Sequence, residues 1–323
     1  MTAEDRVEVD KSKSTLRKRA RPGEFLIRGF LFVCGALSIA ITAGILWELG
    51  SESFLFFQDE RVTILEFLTS TSWLPKGGSF GIWPLVLATL YVALIAMIVA
   101  IPIGLATAIY LSEYASRRVR NFFKPVLEIL VGIPTVVFGF FALTFMTPLL
   151  RSIFGTSVVG FFNLLSAGIV VGILVVPLIS SLAEDALSAV PDSLRQAAYA
   201  MGASKMEVSL RVVVPAALSG IAAGVVVAMS RAVGETMVVT LAAGAAARNF
   251  TLGQDPLFGY ILNPFQGAQV MTGYIAITAN GDLAYNTIDY NSIFAVGLAL
   301  FFMTLGLNAL SRRLVKRFRQ EYQ

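Results

Sequence analysis

The sequence predicts an all-α integral membrane protein with six spans, and three observations carry that reading. Hydrophobic residues make up 56% of the 323 and charged residues only 14%. Mean hydropathy is +0.74. Long apolar runs recur from residue 25 to residue 310. A soluble domain needs a larger charged share to cover its surface, and about 20 apolar residues in a row is what roughly 30 Å of hydrocarbon requires.

The runs fall at Leu26–Trp47, Trp83–Leu111, Val126–Leu149, Leu164–Leu182, Ala216–Ala246 and Ile293–Leu310. The second, third and fifth exceed the minimum length, which implies tilt or helix continuing past the bilayer. Pro102 and Pro134 predict kinks in two of them, because proline removes an N–H and crowds the preceding turn. Residues 1–24 form a polar, basic tail, 25–311 the transmembrane domain and 312–323 a basic C-terminal segment. The tail lacks the short apolar core and small-residue cleavage site of a secretory signal, so it is expected to stay in the cytoplasm.

Cations set the expected orientation. They crowd the tail (Arg6 to Arg21), the second-to-third connection (Arg117, Arg118, Arg120, Lys124), the fourth-to-fifth connection (Arg195, Lys205, Arg211) and the C-terminus (Arg312 to Arg319). The opposite side has Arg61, Lys76, Arg151 and Arg248. The positive-inside rule then puts both termini in the cytoplasm. The two long external segments, Glu48–Ile82 and Arg248–Ser292, are rich in Gly, Pro, Asn, Asp and aromatic residues. They read as irregular structure or short interfacial helices that cap the bundle or receive a soluble partner. Asn249-Phe250-Thr251 matches a glycosylation sequon that chance alone explains.

Several chemistries are excluded. With no histidine there is no imidazole base, no Ser-His-Asp triad and little scope for a zinc site. Cys34 is the only cysteine, so no intrachain disulfide forms, and it reads as a small packing residue. No glycine-rich loop with a Lys-Ser or Lys-Thr pair is present, so this chain is expected to bind no cofactor of its own. Nothing points to nucleic acid.

Between the fourth and fifth runs, Glu184 to Ile221 is too well ordered for a linker. Asp192 or Ser193 is a plausible N-cap, Leu194 to Ala203 a short helix with a turn at Gly202, and Lys205 to Val214 resumes before Pro215. Gln196-Ala197-Ala198, three residues, Gly202, nine residues, then Val212-Val213-Val214-Pro215 resembles the "EAA" loop of ABC importer permeases at every spacing. Gln196 stands where the pattern has Glu, and valines replace its Ile and Leu. The resemblance implies a type I importer transmembrane domain whose coupling helix, about 192–204, docks into an ATPase subunit. It implies coupling roles for Arg195, Gln196, Ala197, Ala198, Met201, Gly202, Ala203 and Pro215.

The likeness extends further. The stretches from Phe80, "FGIWPLVLATLYVALIAMIVAIPIGLATAIYLSEYA", and from Leu127, "LEILVGIPTVVFGFFALTFMTPLL", together with "SRAVGETM" at Ser230, are similar to phosphate-specific importers, and to their C-type permease more than to the A-type. This implies a second, A-type permease, an ATPase dimer carrying ATP and Mg²⁺, an extracytoplasmic phosphate-binding protein, and a bacterial inner-membrane location.

Arg231 and Glu235 pose the sharpest physical question. At ~1.5 Å per residue Arg231 lies about 24 Å along a helix leaving Pro215, near mid-bilayer. A charge there costs ~2.5–3.5 kcal/mol on insertion scales and faces protein or a hydrated path. Four residues apart on one continuous helix, the two share a face and can neutralise each other. One reading is a pair that only fixes packing. The other is an oxyanion site: guanidinium offers a planar fork to two phosphate oxygens, and a carboxylate accepts the O–H that phosphate has and sulfate lacks. In the resembled permeases the corresponding arginine and glutamate are implicated in translocation. Thr236 and Thr240 add hydroxyls, although membrane threonines commonly bond their own backbone. Thr135, after Gly132-Ile133-Pro134, is a further pathway candidate where a broken helix exposes backbone. Glu113 and Glu128 read as interface anchors or gate supports. The alternative cargo is another oxyanion or small polar solute. A membrane-embedded enzyme using Glu235 lacks a second carboxylate or metal cluster at that depth, and a passive anion channel would leave the loop spacing unexplained.

Overall fold

The computed structural model describes residues 22–250, 263–281, 284 and 287–318. Most of the basic tail, Thr251 of the sequon and the last five residues lie outside that set. The chain divides into two units, residues 1–50 and 51–323. The described part of the first is apolar helix, the start of α1 (Pro22–Gln58).

Then follow α2 (Ile64–Thr69), a hairpin of β1 (Trp73–Leu74) and β2 (Ser79–Phe80), and α3 (Trp83–Tyr114), whose last turn widens at Tyr110–Tyr114. Next come α4 (Arg117–Val131), α5 (Thr135–Phe154), α6 (Leu164–Ser188), α7 (Asp192–Ala200) and α8 (Lys205–Ala216). The chain ends with α9 (Leu218–Val233), α10 (Met237–Ala242), α11 (Met271–Ala279) and α12 (Ile288–Phe318). Among the described residues five helices are long and apolar enough to cross a membrane, and a sixth crossing is made if α8 and α9, bent by 69° at Ala217, count as one span.

The centre of the larger unit is α3 against α6. Val92, Ala96 and Ala100 on one helix and Val170, Val171 and Val175 on the other are buried. Small residues set the spacing, since without a hydrophobic drive between helices in lipid, close backbone approach supplies the packing energy. A Cβ on Gly168 would lie 2.6 Å from Ile95 Cβ, and one on Gly172 would lie 2.9 Å from the Ala96 carbonyl oxygen.

The hairpin end is an aromatic cap. Trp73 pairs with Phe80 across the hairpin, and Phe56, Phe67, Trp73, Phe80 and Tyr274 meet edge to face, Trp73 and Tyr274 with centroids 4.9 Å apart. Such pairs contribute about 0.5–1.5 kcal/mol each beyond area burial. The two predicted external segments are stitched together here: Thr71 Oγ1 donates to the Phe250 carbonyl at 2.5 Å, and the Trp73 N–H donates to Asn249 Oδ1 at 2.8 Å. The sequon asparagine is therefore bonded within the chain. Beside the cap, hydrogen bonds from Arg61 hold the Asp59 carboxyl down at about 2.

Two expected spans differ. The third was placed at Val126–Leu149, but α4 stops at Gly132 and the spanning helix starts at Thr135. Pro134 has no N–H to donate and pushes Ile133 away from helical geometry, so the helix ends where a kink was expected. Pro102, by contrast, sits inside α3 without ending it. The fifth, placed at Ala216–Ala246, is interrupted at Gly234–Thr236.

Candidate functional site

The interruption lies between Arg231 and Glu235. Gly234 caps α9, its N–H reaching the Ser230 carbonyl at 3.1 Å, and Glu235 and Thr236 leave helical pairing before α10 begins. Two bonds favour the break. Thr272 Oγ1 at the start of α11 donates to the Glu235 carbonyl at 2.7 Å, taking an acceptor that a continuing helix would use. The Glu235 carboxylate turns back to the Val238 N–H at 3.5 Å. A side chain bonding nearby backbone in this way competes with the helix ladder, and Gly234 resists least. The expectation that Arg231 and Glu235 share one helical face is thereby corrected.

They are not ion-paired either: among the described residues no carboxylate pairs with the half-buried Arg231. Glu235 is 7% exposed, and among the described residues the long bond from Val238 is the one its carboxylate makes. Thr240 Oγ1 is buried without a hydrogen-bond partner among the described residues, against the expectation that it bonds its own backbone, and it lies 3.5 Å from where a Cβ on Gly273 would stand. Thr236 does bond locally, donating to the Gly234 carbonyl at 3.3 Å. Thr135, half-buried, opens α5, and α5 packs on α10 through Gly139, where a Cβ would lie 3.1 Å from the Met237 carbonyl oxygen. Fixed around the break are two residues that sequence reasoning missed. Thr272 had no signal in the sequence. Asn308, whose Oδ1 accepts from Ser230 Oγ at 2.6 Å, was visible as a lone amide in an apolar span.

The loop between α6 and α9 is ordered throughout. α7 starts at Asp192, two residues before the expected Leu194, with Pro191 as N-cap and no side-chain cap, and its helix ends at Ala200, before the expected Ala203. It ends in a Schellman turn: Ala203 N–H to the Ala198 carbonyl at 3.2 Å, and Gly202 N–H to that of Tyr199 at 2.9 Å. Gly202 has φ +84, which accounts for glycine there. Ser204 and Glu207 then form a reciprocal capping box that starts α8. Gln196, Ala197, Met201 and Pro215 are exposed, Met201 at 84%, Ala203 is half-buried and Ala198 buried.

Arg195 points inward. Its guanidinium donates to Glu113 Oε1 at 2.9 Å, to the Leu187 carbonyl at 2.9 Å, to the Val190 carbonyl at 2.6 Å and to Asp192 Oδ1 at 3.2 Å. Nearby, Glu184 is 1% exposed and bonded by Arg120 and by Lys124, the latter at 2.8 Å; Lys124 also reaches Asp185 at 2.5 Å. Hydrogen bonds to Asp185 and Glu184 raise the Lys124 ammonium above its ordinary value. This network fastens α4 to the end of α6, and its signal was opposite charge on two segments of one predicted side. Glu128 is exposed on α4. Among the described residues no cluster of His, Cys, Asp and Glu is suited to a metal.

Residues 100–322 match the family described as "Binding-protein-dependent transport system inner membrane component". The chain is 32% identical over 295 residues to the "Probable ABC transporter permease protein YqgH" of Bacillus subtilis, covering 90% of this chain and 91% of that one. It is 30% identical over 307 residues to the "Phosphate transport system permease protein PstC" of Mesorhizobium japonicum, covering 89% and 86%. In fold it is similar to a bacterial alginate ABC transporter solved with an alginate-bound periplasmic protein, at TM-score 0.59 and 15% identity over 91% of this chain and 98% of that one. Five or six apolar spans among the described residues, an ordered loop with the family's spacing and a match across most of its length together make this chain a member of the binding-protein-dependent transport system inner membrane components, a multi-pass inner-membrane permease with the type I ABC importer fold.

Proposed function

We propose that this chain is one of two permease subunits of an ATP-driven importer of inorganic phosphate. Both termini are cytoplasmic, α7 is the coupling helix received by an ATPase dimer that binds and hydrolyses ATP with Mg²⁺, and an extracytoplasmic phosphate-binding protein delivers the anion to the hairpin end. A second, A-type permease completes the pathway. The PstC relatives support the choice of cargo, and the exposed Gln196, Ala197 and Met201 give α7 a surface to offer a partner.

The observation that carries the reading is the interrupted α9–α10 segment, where a cation without an ion pair among the described residues and a buried carboxylate stand on either side of the exposed Gly234. Broken membrane helices commonly build the transport site in carriers, because their freed backbone groups face a cavity instead of lipid. Phosphate near neutral pH has several acceptor oxygens and at least one O–H. Arg231 supplies the fork for two oxygens, Glu235 accepts the O–H, and the unpartnered hydroxyl of Thr240 is a further donor. A site that must release its anion has to be shallow, and a negative carboxylate on the far side of the break from the cation keeps it so.

The test is Glu235→Gln in the complete complex, with labelled phosphate uptake measured alone and against competing sulfate. The amide keeps the shape and loses the strong acceptor, so uptake should fall about tenfold and sulfate should compete better, as expected when one charge-assisted hydrogen bond is lost. If both anions are affected equally, the carboxylate does not choose the cargo; if the parent complex moves no phosphate, the reading fails outright.

A further inference from the structure

The loop helix and the break are joined by one helix, tied at both ends. At the far end of α3, Glu113 (5% exposed side chain) meets Arg195 of α7 (15%) at 2.9 Å, and a second contact puts Lys205 Nζ 4.9 Å from the centroid of the neighbouring Tyr114 ring. The same guanidinium takes the terminal carbonyls of Leu187 and Val190, so α6 is held in the same grip. At the near end of α3, buried Thr89 Oγ1 accepts the Met271 N–H at 3.0 Å while donating to the Leu85 carbonyl at 2.7 Å. Met271 precedes Thr272, whose hydroxyl holds the Glu235 carbonyl. From Glu113 to Thr89 is about 36 Å of helix at ~1.5 Å per residue.

We propose that α3 is the rod that couples the two sites: the Glu113–Arg195 strut fixes one end to the loop helix, and the Thr89–Met271 bond hitches the other to the backbone at Glu235. The proposal rests on the reading of α7 as the coupling helix. Its physical basis is that the Thr89–Met271 joint is buried, the Glu113–Arg195 joint is half-buried, both are short, and the glycine-tight packing of α3 on α6 lets neither helix slide alone. A buried ion pair is a poor source of stability, since apolar replacements are often neutral or better, so this one calls for a role in geometry. Glu113 and Thr89 are thus positioning residues that act through Arg195 and Met271.

The experiment uses the complete complex in proteoliposomes and reads anion taken up per ATP hydrolysed. Glu113→Gln and Thr89→Val should each leave ATP hydrolysis within about twofold while lowering the ratio about tenfold, inside the ordinary range of coupling energies. Links in series fail together, so the double variant should be no worse than the poorer single one. Glu113→Asp and Thr89→Ser, which keep the charge and the hydroxyl, should restore part of the ratio. If hydrolysis and uptake fall in parallel, or the ratio is unchanged, α3 is no rod. Should Glu113→Gln not assemble, Thr89→Val decides alone, because it lies at the other end of α3 from the ATPase-facing loop. Parent complex that moves another anion would remove the phosphate reading, and the ratio would then be measured with that anion.

Discussion

At the loop helix, Arg195 spends its guanidinium on Glu113, Leu187, Val190 and Asp192, and Glu184 nearby is held by Arg120 and Lys124. At the break in α9–α10, among the described residues, Arg231 has no ion pair, the Glu235 carboxylate makes one long bond and the Thr240 hydroxyl makes none. The two regions hold similar chemistry and use it in opposite ways. A buried polar group left unmade costs ~1–3 kcal/mol, a cost that natural chains tolerate mainly where something else completes the bond. Saturated bonds make a part that moves as a unit; unsaturated ones make a place for a passing ion.

The contrast is broken or sharpened most at Arg231. Arg231→Gln removes the fork while leaving no intrachain acceptor stranded, so phosphate uptake should fall on the order of 100-fold, the loss of two charge-assisted hydrogen bonds at ~1.5 kcal/mol each. Thermal unfolding of the purified complex should not change. Arg231→Lys should recover part of the uptake, because an ammonium keeps the charge and loses the bidentate geometry. Lower thermal stability with uptake intact would make Arg231 a packing residue and erase the contrast.

A smaller effect is expected at the saturated end. A Cβ at Gly202 would meet nothing within 4 Å, so Gly202→Ala tests the backbone alone: an L-residue at φ +84 costs ~1–2 kcal/mol. The end of α7 should fray, and the ATPase retained on copurification should drop about fivefold for 1 kcal/mol of ordering lost. Gly202→Asn should be milder, since asparagine tolerates the left-handed region better. Retention equal to the parent for alanine would mean that the turn does not set the docking surface.

Why the loop could be read from sequence and the break could not follows from where their causes lie. Gly202 and the capping box at Ser204 and Glu207 are local, each explained within five residues, and the expected turn is found. Leu164 opens α6 as expected because Asn163 caps it and an apolar run follows. The break depends on Thr272, 37 residues downstream of the Glu235 whose carbonyl it bonds; no periodicity in an apolar run can register a hydroxyl arriving from another helix. The inward turn of Arg195 has the same origin, its partner Glu113 lying 82 residues upstream. The start of the third span was within reach. Pro134 acts as a helix end in place of a kink, which by itself puts the boundary at Thr135.

The finest test of the contrast is Thr240→Val, which keeps the shape and removes a buried hydroxyl that bonds nothing. If that hydroxyl is an unspent donor for the anion, its removal relieves a desolvation cost and takes away a ligand at once. Stability of the complex should then hold or rise by up to about 1 kcal/mol, while uptake falls about threefold to fivefold, the loss of one ordinary hydrogen bond. Opposite signs in the two measurements are what separate a site residue from a core residue, because a threonine that serves packing alone would give the gain without the loss. In that outcome Thr240 belongs with the saturated parts of the molecule, and the unspent chemistry at the break narrows to Arg231 and Glu235.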